Sequence, residues 1–347
     1  MGENIMEHTA IEHILKKYDI NVKSIDQCGQ TYIIDSDTGL YRVESTKYNK
    51  ESVKRDYNIT DYLVKEGFDN VIKYKRTLDG RLFVKEKGIY FYMKEHIETR
   101  ECDISDFNEV IGSITLLANF HSKVNGEDSS KYRFKYKKDR YLPYRYSKWC
   151  RKLLKFQRLI QNKKTMTEFD KKYYDNIKGY YLQGIMALNL LNQSNYDDVL
   201  KRAKSEKHIC HGNYYYHNVL LSKSQEYYMT GFDHMAIDLR MQDLGKFIRK
   251  LMPQKDYMWD FEKCREIIKS YSSIINISKE ELKILLSTII FPYSFCRLGK
   301  AIYEKHRSIF DPKYIKKLSK EIDCIECRQK FIDYFSECYD LSIKSNA

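Results

Sequence analysis

The chain has 347 residues, 42% hydrophobic and 31% charged, with a formal net charge of +13. That length suits a large two-lobed domain or two domains, and the composition is that of an ordinary globular protein. No apolar run approaches the roughly 20 residues that span a bilayer, which speaks against a membrane protein.

The opening MGENIMEHTAIEHILKKYDI reads as an amphipathic helix of mixed charge, not a signal peptide. The sixth residue is not Ser or Thr, so the Met-Gly start is weak as a myristoylation signal. VKSIDQCGQ, TYIIDSDTG and LYRVES then read as three short strands with turns at Gly29 and Asp37-Thr38-Gly39. A helix over roughly 50–66 ends at Gly67 as its C′ residue. VIKYKRTLDGRLFVKE reads as a hairpin around Asp79-Gly80, and GIYFYMKEHI as a further strand of alternating apolar residues. The expectation for 1–97 is five strands and one inserted helix, a curved sheet able to cover a ligand.

From about residue 98 the pattern turns helical. Phe107, Val110, Ile111, Ile114, Leu117 and Ala118 recur at three-four spacing, with Gly126 just beyond. Over 166–192 the same spacing predicts a buried face of Phe169, Tyr173, Ile177, Tyr181, Ile185, Leu188 and Leu191. A break at 206–240 holds two short strands, and helices follow, with Asp243 as an N-cap before Leu244, Phe247, Ile248 and Leu251. The fold class is therefore α+β: a small N-terminal β-sheet lobe at 1–97 and a large, mostly helical C-terminal lobe at 98–347. That is the two-lobed layout of a kinase.

Two features colour the surface and the redox setting. Residues 131–164 carry fourteen lysines and arginines against one acid, Asp139, a local excess equal to that of the whole chain. This segment can dock an acidic protein or ligand, or be a solvated face; its interleaved aromatics match no nucleic-acid motif, so nucleic acid is not expected. The nine cysteines are scattered and odd in number, which reads as reduced thiols in a cytoplasmic setting. Cys324 and Cys327 form a C-x-x-C without a second pair at zinc spacing and read as two helix residues.

The chemistry concentrates in HICHGNYYYHNVLL, 208–221. His211-Gly212-Asn213, four spacers and Asn218 have the outline of a kinase-type catalytic loop, in which the third residue is the base that takes the proton of the attacking hydroxyl. Here that residue is an asparagine. A short strand follows, then TGFDHMAIDLRMQDL.

With TLDGRLFV, MKEHIETRECD, LLANFHSKVNG, YSKWCRKLLKFQRL, ALNLLNQSNYDDVLKRA, FDHMAIDLRMQDLGKFIRK and FPYSFCRLGKAIYEKHR, these motifs resemble the aminoglycoside phosphotransferase/choline kinase superfamily. Within it the chain is similar to the CotS-type spore coat proteins of spore-forming bacteria, over nearly its whole length. The resemblance implies a protein-kinase-like, aminoglycoside phosphotransferase-type fold. It also implies which positions bear chemistry. The base aspartate falls on Asn213, with His211 bracing the loop. The metal aspartate, twelve residues before the helix-start Asp243, falls on Gly231; Asn218 is the amide metal ligand and Asp233 the surviving second acid. The phosphate-anchoring lysine, closing the third strand, falls on Glu44. Its helix partner falls on Asp56. Met93 and Glu95 complete the positions implied for the cofactor.

Three of the four chemical positions are altered. An amide has no useful proton affinity near neutral pH. Glycine offers Mg²⁺ no oxygen donor. Glu44 repels phosphate where a cation attracts it. Two repairs stay open. Arg42 shares a strand face with Glu44 and either pairs with it or takes over the phosphate contact. Asp233 either joins Asn218 on a metal or, with His234, fixes the loop. Tyr214, Tyr215, Tyr216 and His217 either fill a cleft or pack between strand and helix, and Asp238 and Asp243 read as structural.

The expectation is a pseudokinase, kinase-like in fold without phosphoryl transfer, serving as a structural or binding component of the spore coat. The alternatives are an ATP-dependent small-molecule O-phosphotransferase with a rearranged site, and a nucleotide or metabolite sensor. No cofactor is expected, with ATP and Mg²⁺ entering only if residual binding persists. The resemblance implies other coat proteins as partners, with the basic 131–164 segment as the contact for an acidic one, no membrane, and a path from mother-cell cytoplasm to spore coat.

Overall fold

The computed structural model describes residues 11–29, 31–124 and 134–341. Gly126 and residues 131–133 of the basic segment lie outside these, as does the first half of the N-terminal helix. The chain forms two compact units, the first built from described residues 11–103 and 216–234, the second from 104–124, 134–215 and 235–341. A linear division after residue 97 therefore misses that 216–234 belongs with the first unit.

The first unit holds a six-stranded antiparallel sheet of β1 (Val22–Cys28), β2 (Thr31–Ser36), β3 (Gly39–Thr46), β4 (Tyr74–Lys75), β5 (Val84–Glu86) and β6 (Ile89–Glu95). The order is β1-β2-β3-β6-β4, with β5 also on β6. Alternation sorts the faces. Ile34, Tyr41, Val43, Val84 and Met93 turn to one side, where Ile11, Ile14, Leu15 and Tyr18 of the N-terminal helix complete a buried core. Arg42 and Glu44, half-buried, take the other face of β3. Helix α1 (Lys50–Lys65) supplies the polar partners described below.

The expected hairpin at Asp79-Gly80 does not pair its flanks. A local turn does form there, Gly80 N–H reaching Thr77 O at 2.8 Å, but β4 and β5 each bond to β6. The tight hairpin is instead at Lys87-Gly88, both at positive φ (47° and 79°) between Glu86 and its partner Ile89. Two left-handed residues are what a twisted two-residue hairpin requires. A second sheet in this unit, β10-β9-β7, joins β7 (Thr99–Glu101) to β9 (Val219–Ser222) and β10 (Tyr227–Met229). The β7–β9 pairing brings 216–234 into the unit.

The second unit is helical: α2 (Phe107–Lys123), α3 (Leu142–Gln161), α4 (Glu168–Gln193), α5 (Tyr196–Ser205), α6 (Arg240–Leu251), α7 (Phe261–Ser272), α8 (Lys279–Ile290), α9 (Tyr293–Tyr303), α10 (Pro312–Asp323) and α11 (Ile325–Cys338). Its strands are the pair β8 (Ile209–Cys210) and β11 (Ala236–Ile237). The buried face of α4 departs from the expected one beyond Ile177: Tyr180, Gly184, Ala187 and Leu190 are buried, not Tyr181, Ile185 and Leu188. Small residues make the contact. A Cβ on Gly184 would stand 2.8 Å from Cys150 Sγ on α3, so the two helices meet where no side chain fits. Stacked rings, Tyr173 on Phe295 at 4.1 Å and Tyr180 on Phe295 at 3.9 Å, fix α4 against α9.

One stretch does pass for a membrane-crossing helix on length and composition, contrary to the expectation: Lys279–Tyr303, 25 residues with a window of mean hydropathy 1.3. The Phe291-Pro292 break divides it into α8 and α9, and 72% of the apolar window is buried inside the protein. It reads as a core helix pair.

Candidate functional site

In the first unit, strand register sets the polar face beside α1. Arg42 pairs across with Lys94 and Glu44 with Tyr92. Arg42 Nε lies 3.0 Å from Glu44 Oε1, an ion pair although not aligned as a linear hydrogen bond. Tyr92 donates its hydroxyl to Glu44 Oε2 at 2.7 Å. Glu44 is thus held by its own strand and by its neighbour. Burial, and then the Glu44 carboxylate, push the Tyr92 phenol well above its ordinary value.

Sequence reasoning missed Lys94. Its ammonium, 15% exposed, lies 3.4 Å from Asp56 Oδ2 on α1 and over the rings of Tyr74 (4.4 Å) and Tyr92 (5.6 Å). Tyr74 donates to the same Asp56 oxygen at 2.6 Å. A lysine paired to a carboxylate of the inserted helix is therefore present, but it comes from β6 instead of β3. The signal was in the alternation of YFYMKE, which puts Lys94 on the face of Tyr92 and opposite Arg42. The two remaining positions implied for the cofactor divide. Met93 is fully buried in the sheet core and is not presented to a ligand. Glu95 accepts the Lys73 N–H at 3.2 Å.

The metal positions lie in the same unit. Asn218 ends a short 3₁₀ turn before β9, and its carbonyl accepts the Thr230 N–H at 3.0 Å. Gly231 sits at φ +80°, and a Cβ there would come within 2.9 Å of Asn218 Cγ, Nδ2 and Oδ1. A side chain at 231 would have to displace the Asn218 amide and adopt a strained backbone. Asp233 Oδ1 instead faces Arg55 Nη2 of α1 at 2.9 Å, both side chains about 60% exposed. The glycine gives a metal no donor, and Asp233 is engaged by Arg55 in an exposed pair, which leaves Asn218 and Asp233 as the oxygen donors present for Mg²⁺.

In the second unit, the loop after β8 keeps its shape through buried bonds. His211 is fully buried, and its Nδ1 accepts the Asn213 N–H at 3.3 Å. Tyr214 packs in the core, its hydroxyl donating to Ser113 O at 2.6 Å and its ring stacked on Phe247. Tyr215 lies under the Lys250 ammonium, 3.3 Å from the ring centroid. Tyr216 and His217 lie in the first unit, where His217 meets Glu101.

Asp243 corrects its expected role. It is not the N-cap of α6; Leu239 is, and Asp243 sits one turn inside with no exposure. Its Oδ1 accepts the Gly212 N–H at 2.9 Å, and its Oδ2 lies 3.4 Å from His121 Nε2. His121 Nδ1 in turn bonds the Tyr271 hydroxyl at 2.7 Å. One turn on, Lys246 donates to Gly212 O at 3.2 Å. Helix α6 thereby grips both sides of the Gly212 residue from positions three apart. Burial pushes the Asp243 carboxyl up, but the His121 bond and the Lys246 charge outweigh it and leave it at about 2. Burial holds His121 low, hence neutral. Cys210 lies within 4.8 Å of these two ligand-type atoms, and burial pushes its thiol pKa well up. Asp238 differs: burial raises it to about 6, although Leu239 N–H and Gln242 Nε2 donate to it.

With this geometry in place, comparison with known proteins assigns the lineage. The family model described as "Spore coat putative kinase YutH" matches residues 11–335. The chain belongs to this family. "Spore coat protein S" of Bacillus subtilis (strain 168) is 24% identical over 162 residues, 45% of this chain and 44% of the relative. The chain thus matches under half the length of that curated relative. The aminoglycoside phosphotransferase of Alicyclobacillus acidocaldarius superposes with a TM-score of 0.78 at 17% identity, over 95% of this chain and 96% of that one. The fold is the kinase-like one of the aminoglycoside phosphotransferases.

Proposed function

We propose that this family member serves the spore coat as a structural or binding component and performs no phosphoryl transfer. The observation that carries this reading is glycine at 231, the metal position, which offers a metal no donor and holds a backbone, φ +80°, that disfavours any side chain. Asn213 as the base position and the Glu44–Arg42 pair as the anchor position support it. Phosphoryl transfer depends on positioning and on metal and cationic stabilisation of charge, and three of those elements are altered together.

Partner chemistry follows from α3. Arg140, Lys152 and Lys163 of the basic segment are tied to Asp238, Glu304 and Asp170. Lys148, Arg151, Lys155 and Arg158 stand exposed at helical spacing and form the surface for an acidic coat protein. The route is mother-cell cytoplasm, then coat.

The test is thermal unfolding with and without millimolar Mg-ATP, together with a phosphate-release assay. The expected result is no turnover; measurable ATP turnover dependent on Asn213 or Asp233 would overturn the reading. A second reading, nucleotide binding without turnover, is favoured by Lys94 alone, which restores a lysine–carboxylate pair beside the sheet. It predicts a Mg-ATP stabilisation, about 2.7 kcal/mol at a hundredfold excess over Kd, that disappears in Lys94→Met.

A further inference from the structure

Helix α6 continues past the loop-bracing Asp243 and Lys246 to Arg249 and Lys250. Arg249 is half-buried, donates to Thr288 O at 3.4 Å and lies 4.9 Å from the Tyr293 ring centroid. Arg145 of α3 approaches the same tyrosine from the other side, donating to its hydroxyl at 3.2 Å. Lys250 covers Tyr215, two residues after Asn213. Arg297 of α9 is close enough for its charge to depress both Arg249 and Lys250, and Lys246 adds to the effect on Lys250.

Arg145, Lys246, Arg249, Lys250 and Arg297 thus converge from three helices. Among the described residues none of the five forms an ion pair with a carboxylate, whereas Arg140, Lys152 and Lys163 nearby all do. The groups that favour the charged form of Arg249 are the phenols of Tyr146 and Tyr293, and no carboxylate is among them. Lys246 has Asp243 and Asp238 as counter-charges; Arg145, Arg249, Lys250 and Arg297 have no carboxylate at ion-pair distance among the described residues, and like charges gathered in this way repel and lower stability unless an anion completes them. Planar guanidinium forks beside ammonium groups match the oxygens of phosphate and carboxylate.

We propose that the second unit carries an anion-binding site at Arg145, Arg249, Lys250 and Arg297, beside the Asn213 loop, for a small multivalent oxyanion bearing phosphate or carboxylate groups. The site owes nothing to a metal or to the Glu44 and Gly231 positions, so it stands whether or not the chain turns over ATP. Tyr215 and Tyr293 form its aromatic walls, and the exposed Lys250 and Arg297 its rim.

The test is calorimetric titration of the full chain with pyrophosphate and, in a second arm, citrate, at fixed ionic strength set with chloride. Binding of either supports the site, and the arm that binds tighter identifies phosphate or carboxylate as the preferred group. Lys250→Gln with Arg297→Gln, both exposed and remote from the core, should weaken that binding at least tenfold with unfolding temperature unchanged or raised. Burial and the neighbouring cations bring Lys250 to about 8, so it loses charge as pH rises through that value. Affinity for citrate, whose carboxylates are already ionised at pH 7, should therefore fall between pH 7 and 9 in the wild type and fall less in Lys250→Gln. No binding of either anion at millimolar concentration, or equal affinity in the double variant, overturns the proposal.

Discussion

The polar face of β3 and β6 in the first unit and the Gly212 loop in the second have followed different courses. The loop keeps its framework in side chains with no exposure: His211, Asp243 and His121 are all fully buried and bonded to one another or to backbone. Around Glu44 the side chains are about a quarter exposed and have been re-paired, with Arg42 neutralising Glu44 and Lys94 taking Asp56. A buried polar network that loses one member leaves the others unsatisfied, so it resists substitution. A half-exposed ion pair contributes little, and its members can be exchanged.

The largest effect should come from breaking the buried side of that contrast. Asp243→Ala strips the acceptor from Gly212 N–H and His121 and leaves Lys246 beside an empty pocket; a loss of about 3–5 kcal/mol is expected in urea unfolding. A loss below about 1 kcal/mol would mean the network does not hold the loop.

Next come the two carboxylates at the start of α6, which oppose each other in pH. The Asp238 pKa is raised to about 6, above its value in an unfolded chain. The folded state then holds the extra proton between about pH 4 and 6, and stability from this group falls as pH rises through that window, by on the order of 2–3 kcal/mol. Asp243, held at about 2, contributes stability above pH 4 that is lost as pH falls towards 2. Melting temperature against pH should lose its decline between pH 4 and 6 in Asp238→Asn; an unchanged profile would exclude Asp238 as its source.

A smaller effect probes the re-paired side. Gly231→Asp puts a side chain at φ +80° against Asn218 and should destabilise by about 1–3 kcal/mol. Combined with Glu44→Lys and Asn213→Asp it restores all three altered positions; ATP turnover by that triple variant and not by the wild type, in a phosphate-release assay, would tie the inactive reading to those positions. The smallest effect belongs to the surface ion pairs: Arg55→Gln, which removes the contact to Asp233, should change stability by less than about 1 kcal/mol in thermal unfolding.

Much of the scaffold was legible in alternation and helical spacing. β1, β2, β3, the helix that ends before Gly67 and the helix after Asp106 all fall where periodicity puts them. The misses have local causes. Asp79-Gly80 has the chemistry of a hairpin turn, but its leading strand is only two residues long, and β6 recruits both flanks. On α4 a rule that counts large apolar residues passes over Gly184 and Ala187, whose smallness is what makes the contact. Among the site positions, residue-by-residue reading anticipated the Arg42–Glu44 pair as one of two options. It could not find Lys94, because a strand's neighbours are set by pairing and not by sequence distance. The same limit hid the cationic cluster of α3, α6 and α9, whose members are spread over more than 150 positions of the chain.

The two-sided hold on Gly212 also has a kinetic consequence. Its N–H and C=O are bound by side chains one turn apart on α6, so the loop has no separate opening motion at that peptide. In deuterated water the Gly212 amide should exchange on the timescale of α6 itself, as slowly as the amides in the middle of that helix. That loop would then be among the last parts of the second unit to admit solvent.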